Sequence, residues 1–171
     1  MPVLAQDVQQ RVAALEQQVQ RHLQEQKSQL AIPVLREIVS LDPKNVNGQA
    51  NLGVLLFFQD KFPDAIPPLR AALQLQPGLW RIEALLGIAE KRTGNLKDAQ
   101  RHLEEAFGNL DDPKIKLQAG LELIENLTAA TQLEEALSVA RKLEQLAPGN
   151  PQLLFAAYQI ARRRMDQTLL T

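Results

Sequence analysis

The sequence predicts an all-α solenoid built from helix-turn-helix repeats, occupying residues 1–171 as a single domain. The first observation is a recurring segment: residues 31–36, with the sequence AIPVLR, return as residues 65–70, with the sequence AIPPLR. The two segments begin 34 residues apart, and Pro43 and Pro77 are separated by the same 34 residues. The second observation is that no stretch alternates apolar and polar residues in the manner of a β-strand. A constant period of about 34 residues is typical of a helical repeat array, in which a single unit cannot bury its own apolar face.

Composition narrows the classes of function. The chain is 45% hydrophobic and 4% aromatic and is rich in residues that favour helices. Nineteen basic residues against 20 acidic ones give a net charge of −1, which disfavours nucleic acid as the partner. There is no cysteine, so disulfides and thiolate metal sites are excluded. The longest apolar run, residues 52–58, is far shorter than the roughly 18 residues that membrane insertion requires.

The second repeat shows the pattern most clearly. Asn45 or Asn47 caps a first helix, which we expect to run to about Gln59. Pro63 suits the first turn of the second helix, where its missing N–H costs no hydrogen bond. Pro77-Gly78 then ends the unit. The second helix carries an apolar stripe at three- and four-residue spacing, formed by Ala65, Ile66, Leu69, Ala72 and Leu73.

These residues resemble the tetratricopeptide repeat, a helix-turn-helix unit of about 34 residues. The second unit matches the family's characteristic positions with Leu52, Gly53, Ala65, Leu69, Ala72 and Pro77. The third unit matches them with Leu86, Gly87, Ala99, Leu103 and Ala106. The first and fourth units match less closely, and about three extra residues are expected around 109–113, before the fourth. The expected repeats cover residues 12–45, 46–79, 80–113 and 117–150, followed by a capping helix over 151–169.

The resemblance implies a right-handed superhelix whose first helices line a concave face. The matching residues with small side chains are structural, because they let the paired helices approach closely. The ligand groove that the resemblance implies consists of Asn47, Asn51, Val54, Phe58, Arg81, Leu85, Ile88, Lys91 and Arg92. The corresponding positions of the fourth unit are Gln118, Leu121, Glu122, Glu125, Thr128 and Ala129. The groove would then have an apolar middle, with basic residues on one side and acidic residues on the other. The alternative is that Phe57, Phe58 and Ile88 are simply buried between neighbouring repeats.

The leading functional hypothesis is a non-catalytic scaffold that binds a protein partner, presented as a peptide or an amphipathic helix, in this groove. The competing hypothesis is a structural module that self-associates, as a homodimer, through its first helix or its end layers. The first helix carries a short heptad seam formed by Val8, Val12, Leu15 and Val19. The third hypothesis is a helical repeat that binds nucleic acid, and the balanced charge of the chain disfavours it.

No catalytic, cofactor or metal site is expected. His22 and His102 lie on different units, and the sequence places no second ligand beside either, so both are expected to be solvated. The Arg162-Arg163-Arg164 run is expected at the end of the closing helix, where cations complement the helix dipole. Val3-Leu4-Ala5 is similar to the small-residue end of a signal peptide, so the sequence leaves both export and the cytoplasm open.

Overall fold

The computed structural model describes the backbone of residues 2–169 and the side chains of residues 6–166. The side chains of Val3-Leu4-Ala5 therefore lie outside the described residues. Within the described backbone the chain forms nine α-helices and no strand, which confirms the predicted all-α fold. None of the helices searched is both long enough and apolar enough to cross a membrane. The helices are α1 (Pro2–Gln24), α2 (Ser28–Leu41), α3 (Val46–Phe57), α4 (Phe62–Leu75), α5 (Trp80–Arg92), α6 (Leu96–Asn109), α7 (Pro113–Ala129), α8 (Leu133–Leu146) and α9 (Pro151–Leu169).

The helices are arranged in two layers. Each odd-numbered helix from α1 to α7 packs most extensively against the helix that follows it, which gives four helix pairs closed by α9. In addition, α3 contacts α5, α5 contacts α7 and α7 contacts α9. The odd-numbered helices from α3 to α9 therefore lie side by side in one layer, with the even-numbered helices packed on one side of it. Because solenoids of helical repeats present an extended concave surface, we call the other face of this layer the concave surface.

The pairs α3–α4 and α5–α6 are held together by a glycine facing a leucine. A Cβ atom added to Gly53 would lie 2.6 Å from the side chain of Leu69. A Cβ added to Gly87 would lie 2.8 Å from the side chain of Leu103. Since real Cβ contacts are longer than this, only glycine lets these two helices approach so closely. The small residues that recur in the sequence thus set the distance between paired helices.

The fourth pair also has a glycine facing a leucine, at a different position of the repeat. A Cβ added to Gly120 would lie 2.8 Å from the side chain of Leu143. Ile124 and Ala140 stand 16 residues apart, as Gly53 and Leu69 do, and both are buried in one apolar cluster. At these positions the larger side chain comes from the first helix and the smaller one from the second.

The turn between the two helices has the same backbone conformation in all four helix pairs. One residue in each turn has a left-handed backbone: Gln26, Asp60, Gly94 and Thr131. After each of them an N–H donates to the carbonyl oxygen five residues earlier, at 2.8 to 3.0 Å, as in a Schellman motif. These bonds run from Lys27 to His22, Lys61 to Leu56, Asn95 to Glu90 and Gln132 to Leu127.

The extra residues of the fourth unit lie inside a helix. They were expected around residues 109–113, but only three residues separate α6 from α7. The additional length is found in α7, which has 17 residues where α5 has 13. Asp112 caps this longer helix, since its carboxylate accepts from the N–H groups of Lys114 and Ile115. Pro113 occupies the first turn, where no N–H is needed.

The heptad seam of the first helix is used within the chain. Val12, Leu15 and Val19 are buried in an apolar core cluster, with exposed fractions of 8%, 3% and 4%, and their helix packs on α2. Val8 is exposed. Three of the four seam residues are therefore committed to the core of the protein and offer nothing to a second copy.

The arginine run lies in the middle of α9, because the helix continues to Leu169. The expectation that the three cations end the helix is wrong. Arg163 donates to the carbonyl oxygen of Thr128 at 3.0 Å, and Arg164 lies 3.2 Å from the Glu134 carboxylate. These contacts tie α9 to the preceding helix pair.

Gly53→Ala should destabilise the protein by about 1–3 kcal/mol, because the added methyl meets Leu69. Gly108→Ala is the matched control, since nothing lies within 4 Å of a Cβ at that position in α6. It should leave stability unchanged or raise it by up to about 1 kcal/mol. Chemical denaturation measures both. Equal effects of the two substitutions would show that the close helix approach at Gly53 is not a packing constraint.

Thr131→Gly should stabilise the protein by about 1 kcal/mol, because a β-branched residue is strained at φ 62 and glycine is not. Thr93→Gly is the control, because Thr93 lies at the end of α5 with φ −93 and gains no such relief. Thermal and denaturant unfolding should show that Thr131→Gly is more stable than the wild type and that Thr93→Gly is less stable. The opposite order would show that the backbone of Thr131 is not strained.

Candidate ligand groove

Ion pairs join α5 to α7 across the concave surface. The Lys91 ammonium contacts both Glu122, at 2.6 Å, and Glu125. Arg92 lies 3.1 Å from Glu122. Lys91 and Glu122 are largely buried, with side-chain exposures of 10% and 15%. We call these four residues the central ion cluster. Pairs that are this well shielded are screened less by salt than surface pairs.

The basic and acidic residues that were predicted to stand on opposite sides of the groove are therefore in direct contact. Lys91 and Arg92 meet the acidic residues of the next first helix, and Arg81 lies 3.1 Å from Asp112 in the same way. All three cations of the predicted groove have partners within the chain. Their charge is largely neutralised before any ligand arrives.

The N-terminal half of the predicted groove is mixed in exposure. Asn47 and Asn51 are exposed on α3. Val54 on α3 and Leu85 on α5 are half-buried, and both pack against the same apolar core cluster. Their helices are in contact. We call these two residues of the predicted groove the Val54–Leu85 strip.

Two residues of the predicted groove behave differently. Ile88 is 4% exposed and belongs to the core, so it is not available to a ligand. Phe58 is 73% exposed at the C-cap of α3. Its ring packs edge-to-face on Phe57, with the centroids 5.5 Å apart. Phe57 is half-buried and contacts two core clusters.

A larger groove lies between α7 and α9, with a volume of about 1050 Å³. We call it the C-terminal groove. All six residues that the repeat register assigned to the concave face of the fourth unit line it: Gln118, Leu121, Glu122, Glu125, Thr128 and Ala129. The facing wall comes from α9 and includes Gln152, Phe155, Ala156 and Gln159. Phe155 is 64% exposed, which is unusual for a phenylalanine beside a concave surface.

The wall formed by α9 was not predicted, although the repeat period locates it. Gln152, Phe155 and Gln159 follow Gln118, Leu121 and Glu125 by one repeat period each. Each of the three α9 residues lines the C-terminal groove. The closing helix is therefore more than a cap. Because α9 is a first helix in register with the others, its inner face continues the same surface.

His102 is buried, contrary to the expectation that it is solvated. It is 6% exposed and lies on the face of α6 that packs on α5. Its Nδ1 contacts the carboxylate of Glu83, and its Nε2 lies 3.6 Å from Glu90. These partners were missed because both come from the preceding helix, α5, at positions remote from His102 along the chain. Glu105, three residues after His102, is the near neighbour that the sequence does show.

The comparisons with known proteins identify a fold. No protein-family model matches the chain, and no curated protein matches it. Among solved structures, MamA from Desulfovibrio magneticus RS-1 is similar at 17% identity and a TM-score of 0.76, over 92% of this chain and 88% of that one. YrrB, a TPR protein with an unusual peptide-binding site, is similar at 16% identity and a TM-score of 0.76, over 85% and 74%. PilF of Pseudomonas aeruginosa is similar at 18% identity and a TM-score of 0.68, over 94% and 72%. The chain has the fold of the tetratricopeptide-repeat proteins.

Proposed function

We propose that the protein is a non-catalytic interaction scaffold that binds a peptide or an amphipathic helix on its concave surface. The C-terminal groove is the main binding site in this proposal. The observation that carries it is an exposed phenylalanine, Phe155, on one wall of an open groove of about 1050 Å³. Exposed aromatic side chains in a concavity are the usual anchors of protein recognition.

The lining of the groove suits a polypeptide. Leu121, Phe155 and Ala156 supply apolar surface on which a ligand's side chains can be buried. Three amide side chains, from Gln118, Gln152 and Gln159, stand beside this surface. An amide both donates and accepts hydrogen bonds, so it can pair with the backbone of an extended peptide or with polar side chains of a helix. The combination matches helix-in-groove recognition, in which apolar anchors supply most of the affinity.

The fold neighbours support the same type of function. YrrB is described as having an unusual peptide-binding site, and its structure overlays 85% of this chain. That description concerns YrrB. Its bearing on this chain is that the same stack of helices can hold a peptide.

The central ion cluster determines how much charged residues can contribute to ligand affinity. Lys91 and Arg92 are engaged by Glu122 and Glu125, so a ligand would have to displace an existing partner to pair with them. Affinity should then come mainly from apolar burial and depend weakly on salt. The cluster joins α5 to α7, and its two glutamates also line the C-terminal groove, so it borders the groove on the side that faces the Val54–Leu85 strip.

Phe155→Asp should weaken binding of a peptide selected from a random display library against the wild type, by at least about tenfold in Kd. The apolar anchor of the groove would be replaced by a charge. Leu154→Asp is the matched control, since Leu154 is 56% exposed on the same helix and does not line the groove. Fluorescence anisotropy compares the two. Equal Kd values for the two variants would exclude the C-terminal groove as the binding site.

Val54→Asp combined with Leu85→Asp tests whether the ligand extends beyond the central ion cluster. A long ligand that covers both the C-terminal groove and the Val54–Leu85 strip should lose roughly tenfold in affinity, whereas a short one confined to the C-terminal groove should lose none. Truncating the selected peptide from either end, and repeating the titration, orients it on the surface. If the double variant stays folded and every selected peptide binds it as tightly as the wild type, the Val54–Leu85 strip takes no part in binding.

Self-association through an end layer is the second candidate function. It is favoured by exposed apolar side chains on α9 outside the groove, Leu154 and Tyr158, with exposed fractions of 56% and 60%. Sedimentation of the wild type and of Leu154→Asp separates the candidates. A wild-type dimer that Leu154→Asp converts to a monomer would support self-association, and a wild-type monomer at tens of micromolar would exclude it.

A further inference from the structure

A second polar site lies between α5 and α6. Glu83 on α5 and His102 and Glu105 on α6 form one group, in which one ligand atom from each residue lies within 4.8 Å of the other two. Glu83 and His102 are each 6% exposed, and Glu105 stands at the surface. Among the described side chains this is the group of histidine and carboxylate residues that can hold a metal ion.

We propose that Glu83, His102 and Glu105 bind a divalent transition-metal ion, of which Zn²⁺ is the best fit. One imidazole nitrogen and two carboxylate oxygens form a ligand set that zinc commonly takes, with water completing the coordination. Nδ1 of His102 is the coordinating nitrogen, because it faces the carboxylate of Glu83. The nitrogen ligand disfavours magnesium and calcium, which take oxygen ligands.

A buried carboxylate outside this group is the second observation that points to a metal. Glu90 is fully buried, and its Oε1 accepts from Arg70 at 2.7 Å. Its Oε2 is buried and has no hydrogen-bond partner among the described residues, and it lies 3.6 Å from Nε2 of His102. A histidine that binds a metal through one nitrogen usually donates the other N–H to a carboxylate. Glu90 Oε2 stands where that acceptor is needed.

The site can be reached from solvent. A cavity of about 360 Å³ is lined by Glu83, His102 and Glu105, together with Trp80 and Gln74. It is separate from the C-terminal groove, which is formed by other helices. An ion can enter past the exposed Glu105, and water molecules have room to occupy the remaining coordination positions.

Arg101 competes with the metal and has to move. Its guanidinium lies 2.9 Å from Nε2 of His102 and 3.8 Å from the Glu105 carboxylate. Its side chain is 57% exposed, so it can turn into solvent at small cost. Once it leaves, Nε2 is free to donate to Glu90, and Glu105 is free to bind the ion. Three carboxylates then face three positive charges, two on Zn²⁺ and one on Arg70.

Titration of the metal-free, untagged protein with ZnCl₂ in a calorimeter tests the proposal. We expect one Zn²⁺ per chain, and a rise in melting temperature that grows with the zinc concentration. Heats no larger than those of zinc added to buffer would overturn the site.

Two matched pairs of variants locate the ion. Glu105→Gln, at the exposed edge of the site, should lose at least about tenfold in zinc affinity, and its neighbour Glu104→Gln should lose none. His102→Gln should abolish binding, whereas His22→Gln, in the first repeat, should retain it. Circular dichroism establishes that each variant is folded. If Glu105→Gln binds zinc as tightly as Glu104→Gln, or if His22→Gln loses the ion, the site is not the one proposed.

Discussion

The distance between the two helices of a pair is the constraint on which the rest of the structure depends. At Gly53 and Gly87 a leucine of the partner helix reaches the backbone of the first helix, leaving no room for even a methyl group. This contact sets how each pair presents its outer faces to the next pair. A solenoid is stabilised mainly by contacts between neighbouring units, so the shape of the concave surface follows from the shape of each pair. The form of the groove thus depends on the packing between the first and second helices, behind the surface that a ligand would contact.

Much of the fold could be predicted from the sequence because it rests on local, periodic chemistry. The repeat period, the glycines, the caps and the turn signals each act within one or two helices. The position of the fourth unit's extra residues could not be predicted, since loops and helix starts have similar sequences there. Pro113 is compatible with a loop and equally with the first turn of a helix, and the capping by Asp112 decides between them.

For the candidate groove, the sequence predicted which positions face the inner surface, but it did not predict which of those side chains are buried or paired. Counting by repeats placed Gln118, Leu121 and Glu125 on the inner surface, where they line a cavity. It did not show that Ile88 is buried or that Lys91 is held by two carboxylates. These outcomes depend on how far one helix is tilted against the next, which a periodic pattern does not encode. The His102 cluster was missed for a related reason, because its members come from different helices.

The longer α7 has a consequence for how such a chain can change in evolution. Its four additional residues amount to about one helical turn, or roughly 5–6 Å of length. A whole turn moves the start of the helix outward while leaving its inner face pointing in the same direction. Two additional residues would instead rotate that face by about half a turn and expose its core side. Insertions into this solenoid should therefore be tolerated in steps of three or four residues. The architecture can acquire local extensions, with new surface at one end of a helix, without loss of the inner wall.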